Sequence, residues 1–320
     1  MQKFALFLGC NIPFKAPDIE QSIRQVCPPL GIEPLDMVGA SCCPAWGTAP
    51  SFDKGTWCAL SCRNMAIAEE MGVDIMTGCN SCFGILSEAK HFMHDPEVAE
   101  EAHELLAHTG REYKGTSDIH HITHVLHEHV GAEKIAAALR YSQNGVTVAV
   151  QTGCHILWPT EVMTLREANP FFPRMLKDLV EATGASAPHY SRIEGCCGMG
   201  GMRTTNAEKS MRILGAKMRS MKEEIDPDVI VTGCSSCYMQ FDQSQETLRK
   251  MGEIDFEIPV LYYTQFLALA MGFDPKEVAA ISAMDRSGII EKIQNPARAV
   301  QPVTGAGSGA LAGTGKEARI

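Results

Sequence analysis

The chain has 320 residues, 45% of them apolar and 21% charged, a composition that excludes disordered and fibrous proteins. Its net charge of −10 argues against a nucleic-acid-binding protein, which needs a basic face. The longest apolar stretch, residues 260–273, is too short to span a bilayer, and the amino terminus lacks the layout of a signal peptide, so we expect a cytoplasmic protein without direct membrane insertion.

The first half of the chain alternates short apolar runs with a helical segment. FALFLGC at 4–10 and VDIMTGC at 73–79 are apolar runs that end at Gly-Cys. Runs without polar alternation are typical of strands buried on both faces of a parallel sheet. Between them, Ile19 and Ile23 recur at helical spacing, which predicts a helix over 17–27.

A polar segment follows over residues 91–145, and its composition predicts a helical connector. Nine of the eleven histidines of the chain fall in this segment. His120, His124 and His127 would share one helix face and could hold a metal ion. A solvated polar helix or a contact between subunits explains them better, and we favour that interpretation.

The second half repeats the alternation of the first. VTVAVQTGC at 146–154 and VIVTGC at 229–234 are again apolar runs that end at Gly-Cys, and helices are predicted over 170–183 and 206–224. The last segment is rich in glycine and other small residues, which predicts a flexible tail. These patterns divide the chain into a first domain, a helical connector, a second domain and a tail, over 1–90, 91–145, 146–300 and 301–320.

Ten of the thirteen cysteines form a repeat. In each half a single cysteine is followed after 31 or 41 residues by an adjacent pair, and after 35 or 36 more by a C-x-x-C pair. The two sets are Cys10, Cys42, Cys43, Cys79 and Cys82, and Cys154, Cys196, Cys197, Cys234 and Cys237. The repeat indicates a duplicated α/β unit, and its Gly-Cys sequences place the sites at the carboxyl ends of parallel strands.

Three kinds of site could use these cysteines. A structural zinc site takes four ligands and would leave one cysteine of each set over. A thioredoxin-like site needs only a C-x-x-C that opens a helix, without a distant adjacent pair. An iron–sulfur cluster with a larger ligand demand than a four-thiolate cubane would use all five, and we favour this interpretation. Glycine precedes five of the ten cysteines, where it permits a tight turn that aims N–H groups at sulfur.

This pattern resembles the CCG domain of the family formed by the B subunit of heterodisulfide reductase and its relatives, over nearly the whole chain up to the tail. The resemblance implies an α/β fold of two tandem Rossmann-like CCG domains related by pseudo-twofold symmetry. It also implies that each domain holds one noncubane [4Fe-4S] cluster through its five cysteines. Two features depart from the family pattern: the longer gap after Cys154, and Pro44 after the first double cysteine, where the second has Gly198.

The resemblance also implies an activity. Such a protein would reduce, or form, a disulfide between two small thiols in two one-electron steps, within a complex whose iron–sulfur C subunit and flavin-bearing A subunit handle the electrons. The sequence itself has no dinucleotide-binding fingerprint, so the electrons must come from a partner. A second hypothesis is an iron–sulfur electron-transfer or assembly module of a quinone-linked or dehydrogenase complex. We favour the first because both repeats have all five cysteines.

Weaker signals lie next to the second set of cysteines. Gly198, Gly200 and Gly201 precede a predicted helix with Arg203 close behind, a setting that attracts the anionic tail of a substrate. The alternative is that the glycines have no role in binding and are small only because a cluster needs the space. His155 could donate a proton to a departing thiolate, or it could be a buried structural histidine.

Five further residues are assigned to the interior. Cys27, Cys58 and Cys62 stand outside the repeat, and free cysteines behave as small core hydrophobes. Tyr262 and Tyr263 are expected in the core or in an interface.

Overall fold

A computed structural model of the protein describes residues 1–45, 49–163, 167 and 169–300. The predicted tail, 301–320, lies outside the described residues. Within them, the strands form two parallel sheets in the orders β2-β1-β3-β4 and β5-β6-β7. The strands are β1 (Gln2–Phe7), β2 (Ile32–Asp36), β3 (Asp74–Thr77), β4 (Ile119–His121), β5 (Val148–Gln151), β6 (Val229–Thr232) and β7 (Val260–Tyr262).

Helices connect the strands and cover the sheets. The α-helices are α1 (Asn11–Lys15), α2 (Pro17–Val26), α3 (Ala49–Phe52), α4 (Lys54–Met71), α5 (Asn80–Phe92), α6 (Pro96–Ala107), α7 (Ile122–His124), α8 (Ala132–Ala137), α9 (Met175–Glu181), α10 (Gly200–Thr205), α11 (Ala207–Ile225), α12 (Ser235–Lys250), α13 (Tyr263–Met271), α14 (Pro275–Val278) and α15 (Ser287–Ile293). A π-helical segment covers Val125–Val130, and 3₁₀ turns cover Pro28–Leu30 and Pro296–Arg298.

The four apolar runs form the predicted parallel strands β1, β3, β5 and β6. In both sheets the strands align so that they end at the same edge, with Phe7 opposite Thr77 and Gln151 opposite Thr232. Each strand is followed within three residues by one of the Gly-Cys sequences. The predicted placement of the cysteines at the carboxyl ends of parallel strands is therefore confirmed.

Two of the three predicted helices have nearly the expected bounds, as α2 and α11. The third, expected over 170–183, begins only at Met175. Proline disfavours the helical conformation at the residue before it, and Pro173 imposes this on Phe172. The helix therefore starts after the proline.

The predicted connector contains a strand that its sequence did not indicate. β4 pairs with β3, with Ile75 opposite Ile119 and Thr77 opposite His121. His120 is thus a strand residue, and the prediction that it shares a helix face with His124 and His127 is wrong. A three-residue strand is too short to show a two-residue period, and buried histidines resemble a polar surface in the sequence.

The two halves pack with their cysteine-bearing edges against each other. The side-chain amide of Asn80 donates to the carbonyl oxygen of Thr152 at 2.7 Å. In the same direction, from the first half to the second, the amide of Asn11 donates to the hydroxyl of Ser236 at 3.0 Å. Both contacts join residues near a cysteine of one half to residues near a cysteine of the other.

The segment that follows α14 makes a second group of contacts that join the two halves. Asp18 of the first half accepts a hydrogen bond from the Ile281 amide at 2.9 Å, and Tyr238 of the second half donates to the Ile281 carbonyl at 2.6 Å. Arg286 forms a buried ion pair with Asp242 at 3.6 Å.

In the described part of the chain, none of the helices combines the length and apolar character needed to cross a bilayer.

Candidate metal centres

The first five predicted ligands lie together at the carboxyl edge of the first sheet. The Sγ atoms of Cys43 and Cys82 are 3.3 Å apart. Cys42 shares side-chain hydrogen bonds with Cys10 and with Cys43. Cys82 shares a further one with Cys79. The five thiols are therefore connected without a gap.

The second five predicted ligands are connected in the same order. The Sγ atoms of Cys197 and Cys237 are 3.3 Å apart. Cys196 shares side-chain hydrogen bonds with Cys154 and Cys197, and Cys237 shares one with Cys234. The duplication in sequence is thus a duplication of geometry.

The two sets meet at the contact between the halves. Cys79 of the first set and Cys234 of the second share a side-chain hydrogen bond. Each of these cysteines precedes the helix that its C-x-x-C opens, α5 or α12. The ten thiols consequently form one continuous array that runs from Cys10 to Cys154, which we call the thiol array.

Hydrogen bonds between neighbouring thiols stabilise thiolates in both sets. Bonds from Cys42 and then Cys82 lower the pKa of Cys43 to about 5. A bond from Cys234 holds the pKa of Cys79 well below its ordinary value, and one from Cys154 does the same for Cys196. The thiolate is the form that binds metals, so each set is prepared to act as a donor.

The thiol array suits a polynuclear cluster better than a single ion. Among residues 1–45, 49–163, 167 and 169–300, no three His, Cys, Asp or Glu side chains are arranged to hold one metal ion. A tetrahedral zinc site needs four donors around one point. An iron–sulfur cluster instead needs thiolates spread around a larger inorganic core, each bound to its own iron. Five connected thiols, with at least one in each set whose pKa is lowered, fit that requirement.

The thioredoxin alternative is weakened by the same geometry. Both C-x-x-C pairs do open helices, as in thioredoxin, so this feature alone does not separate the two kinds of site. The distant double cysteines nevertheless contact the C-x-x-C pairs in both halves. A dithiol site has no use for these additional thiols.

Comparison with known proteins identifies the family. The family CCG, described as "Cysteine-rich domain", matches residues 4–87 and 148–242, one match in each half. A protein of Archaeoglobus profundus named as similar to the B subunit of heterodisulfide reductase is 52% identical over 92% of this chain and 98% of that protein. The chain belongs to this B-subunit family of tandem CCG proteins. The predicted resemblance is confirmed.

Further relatives agree in length and differ in their assemblies. The B subunit of the "Ferredoxin/F(420)H(2)-dependent CoB-CoM heterodisulfide reductase" of Methanosarcina acetivorans is 39% identical over 87% of this chain and 92% of that protein. The "8-methylmenaquinol:fumarate reductase membrane anchor subunit" of Wolinella succinogenes is 30% identical over 87% of this chain and 95% of that protein. Together with the family match, these relatives support the predicted iron–sulfur and electron-transfer character.

One solved structure has the same fold. It is described as the "Crystal structure of a hypothetical protein from Helicobacter pylori", and it matches with a TM-score of 0.69 at 14% identity. The match covers 87% of this chain and 50% of that one, so the chain spans half the length of that protein. At this identity the likeness supports the fold alone.

His155, the predicted catalytic residue of this CCG protein, lies at the contact between the halves. Its side chain is 5% exposed and packs over Gly84 of helix α5. The Nε2 atom lies 3.3 Å from Oε1 of Glu88, which is also buried. The sequence analysis missed Glu88, because nothing in an isolated glutamate on a helix shows that it faces a histidine 67 residues away.

The predicted anion-binding segment has a defined structure. Gly198 has a φ of +82°, donates its N–H to Cys196 Sγ at 3.3 Å and accepts from the Ser210 hydroxyl at 2.7 Å. Arg203 donates to the side-chain carbonyl of Gln240 at 2.9 Å. The substrate role of Gly198, Gly200, Gly201 and Arg203 remains a prediction.

The residues assigned to the interior are where the sequence placed them. Cys27, Cys58 and Cys62 are fully buried and lie outside the thiol array. Burial raises the pKa of Cys27 and of Cys58 to about 12, so both remain thiols. Tyr262 and Tyr263 are also fully buried.

Tyr262 and His121 occupy matching positions in the two halves, and each lies against the glycine that precedes a cysteine of the other half. We call these two residues the reciprocal pair; the sequence analysis missed it. The Tyr262 hydroxyl, at the end of β7, donates to the carbonyl of Gly78, just before Cys79 of the other half. His121, at the end of β4, lies against Gly233, where a Cβ would be 3.6 Å from its Cε1 atom. Both residues cap a short helix, α13 or α7, so they hold equivalent positions. Because strand β4 was not predicted, the correspondence of His121 to Tyr262 could not be recognised in the sequence.

Proposed function

We propose that this chain is the catalytic subunit of a heterodisulfide-reductase-type complex that reduces, or forms, a disulfide between two small thiols. The observation that carries the proposal is the thiol array, in which two complete sets of five thiols meet at Cys79 and Cys234. A site between the two sets gives each sulfur of a disulfide its own neighbouring metal centre. A structural role would not require both sets to be complete.

Each set would hold one noncubane [4Fe-4S] cluster, the first through Cys10, Cys42, Cys43, Cys79 and Cys82, and the second through Cys154, Cys196, Cys197, Cys234 and Cys237. When bound, such clusters supply electrons one at a time. The overall reaction consumes one disulfide, two electrons and two protons and releases two thiols. The electrons would come from an iron–sulfur C subunit and a flavin-bearing A subunit, because the chain has no dinucleotide fingerprint of its own.

The chain's own residues would manage the protons and the substrate. His155, oriented by Glu88, is the proposed proton donor to a thiolate released beside Cys154. Gly198, Gly200, Gly201 and Arg203 are the proposed contacts for an anionic part of the substrate. We propose a cytoplasmic location for the complex.

An anaerobic preparation of the full chain tests the proposal. We expect a brown protein with about eight iron and about eight sulfide per chain, since each cluster contains about four of each. Adding a disulfide together with a chemical reductant should release two thiols per two electrons and should alter the electron paramagnetic resonance (EPR) signal. A colourless protein that contains zinc would contradict the cluster assignment.

The second candidate is an electron-transfer module of a quinone-linked complex. The fumarate reductase relative from Wolinella supports it, since that protein is named for 8-methylmenaquinol and for a role as membrane anchor. The same preparation separates the two functions. A relay would have the same iron content, but neither thiols nor disulfides would change its EPR signal.

A further inference from the structure

A buried lysine supports the loop that carries the second double cysteine. Lys217 of helix α11 is 1% exposed. Its ammonium group donates to the carbonyl oxygens of Ile193 at 3.0 Å and Gly195 at 2.6 Å. Gly195 directly precedes Cys196, so the lysine holds the backbone immediately before the double cysteine.

The first half supports the equivalent loop with a neutral side chain. Asn64 of helix α4 is fully buried, and its carbonyl oxygen accepts from the amide of Ser41 at 2.8 Å. Ser41 directly precedes Cys42. Arg63 reaches the same loop at the Gly39 carbonyl, at 2.9 Å, but from the solvent side, where water screens its charge.

The charge of Lys217 acts on the second set of thiols. Burial lowers the pKa of Lys217 to about 8, and the sulfurs of Cys237, Cys197 and Cys196 oppose this by favouring the charged form. Each of these three sulfurs acts on Lys217 more strongly than the carboxylate of Glu194 does. The buried charge of Lys217 therefore interacts with the sulfurs of the second set.

A hydrogen bond adds to the same difference between the halves. The Gly198 amide donates to Cys196 Sγ at 3.3 Å. The first half has Pro44 at the matching position, and proline has no N–H to donate. Hydrogen bonds to ligand sulfur and nearby positive charge both stabilise the reduced, more negative state of an iron–sulfur cluster.

We infer that Lys217 sets the reduction potential of the cluster in the second half above that of the cluster in the first. This inference rests on the proposed function, in that both sets of thiols hold clusters. One-electron reduction adds a negative charge, and a cation in the low-dielectric interior stabilises that charge more than an exposed one does. Lys217 is thus a potential-setting residue that touches neither the substrate nor a ligand sulfur. An electron that enters the protein resides preferentially in the second half.

A redox titration of the anaerobic full chain, followed by EPR, tests this inference. The wild type should show two one-electron transitions at different potentials. A Cys10→Ser/Cys42→Ser double variant, altered at the two proposed ligands of the first set that lie at the opposite end of that set from Cys79, should retain only the transition at the higher potential. This assignment does not depend on any change at Lys217.

Substitution of the lysine then isolates its charge. In Lys217→Gln, whose amide can still donate to a loop carbonyl, the higher potential should fall while the lower one stays. At a fixed solution potential, the ratio of oxidised to reduced cluster should change about tenfold. This corresponds to a shift of about 59 mV in the reduction potential of a one-electron couple. Lys217→Arg should preserve the wild-type potential. Lys209→Gln, an exposed lysine of the same helix, is the matched control and should shift neither transition.

Several results would overturn the inference. Unchanged potentials in Lys217→Gln at full iron content would do so, as would equal shifts in the Gln and Arg variants, since these would indicate a purely structural role. Retention of the lower transition in the double-cysteine variant would also contradict it, even if Lys217→Gln failed to fold. Each of these outcomes leaves the proposed function intact. A wild type without iron would overturn the proposed function and this inference together.

Discussion

The two halves of the molecule have matching sets of five cysteines in different surroundings. Both place five thiols at the carboxyl edge of a parallel sheet, connected in the same order. The neighbours of these thiols differ: Pro44 and Asn64 in the first half correspond to Gly198 and Lys217 in the second. The comparison shows that the arrangement of the thiols depends on backbone elements that both halves have, whereas the electrostatic surroundings depend on single side chains that only one half has.

The sheets differ in a similar way. Strand β2 pairs with β1 along five residues in the first half. In the second half, only an isolated bridge between Thr147 and Ser186 occupies the corresponding side of β5 among the described residues. The strands that end in Gly-Cys are complete in both. The outer part of the sheet can therefore be reduced without moving the cysteines.

Removing a ligand from each half is the strongest test of their equivalence. Cys82→Ser and Cys237→Ser occupy matching positions, and each should lose about half of the bound iron, since each set is proposed to hold one of two clusters. Iron and sulfide analysis of anaerobic protein measures this. Cys58→Ser, a buried cysteine outside the thiol array, should retain all the iron. Full iron content in Cys82→Ser would show that the ligand assignment of the first half is wrong.

The loop after the double cysteine distinguishes the halves by backbone conformation. Gly198 has a positive φ, and a Cβ there would lie 2.7 Å from the carbonyl oxygen of Ser210. Gly198→Ala should therefore destabilise the protein by about 2–4 kcal/mol through strain and overpacking. Gly200→Ala is the control, because no atom lies within 4 Å of the added methyl group. Equal unfolding temperatures of the two variants would contradict this account.

The reciprocal pair predicts a pH dependence that only one half contributes. Burial lowers the pKa of His121 from 6.5 to about 4. The unfolded chain therefore binds more protons between these values, and stability falls as the pH falls from 6.5 towards 4. Between about pH 7.5 and about pH 5 the loss should be about 2 kcal/mol. Denaturant unfolding at several pH values measures it, and His121→Gln should flatten the profile. His94→Gln, at an exposed histidine, should not.

The smallest expected effect concerns the partner position in the other half. Tyr262→Phe removes the hydrogen bond to Gly78 but keeps the ring in the core. The loss should be about 1–2 kcal/mol, because a buried carbonyl is left without this donor. Tyr263→Phe removes a comparable buried bond, to the Leu179 carbonyl, away from the cysteines. Both variants should lose similar stability, but only Tyr262→Phe should alter the EPR signal of the cluster proposed for the first half.

The sequence predicted the placement of the cysteines well because covalent spacing and strand pattern are local. Cysteine repeats and apolar runs that end at Gly-Cys were sufficient to place ten thiols at two sheet edges. The role of Lys217 could not be predicted, because an amphipathic helix does not reveal that one of its lysines faces inward. Strand β4 was missed because three residues carry no usable period, and with it the correspondence of His121 to Tyr262. Contacts between the halves, such as that of His155 with Glu88, depend on packing that no segment encodes alone.

The continuity of the thiol array has a practical consequence for handling the protein in air. Without bound metal, ten adjacent thiols, several of them ionised, would oxidise to disulfides within and between the sets. A bond between Cys79 and Cys234 would join the halves covalently at the place where the substrate is proposed to enter. Protein purified aerobically should therefore accept no iron until a strong thiol reductant has reopened these links, and its inactivity before that step would carry no information about its biological role.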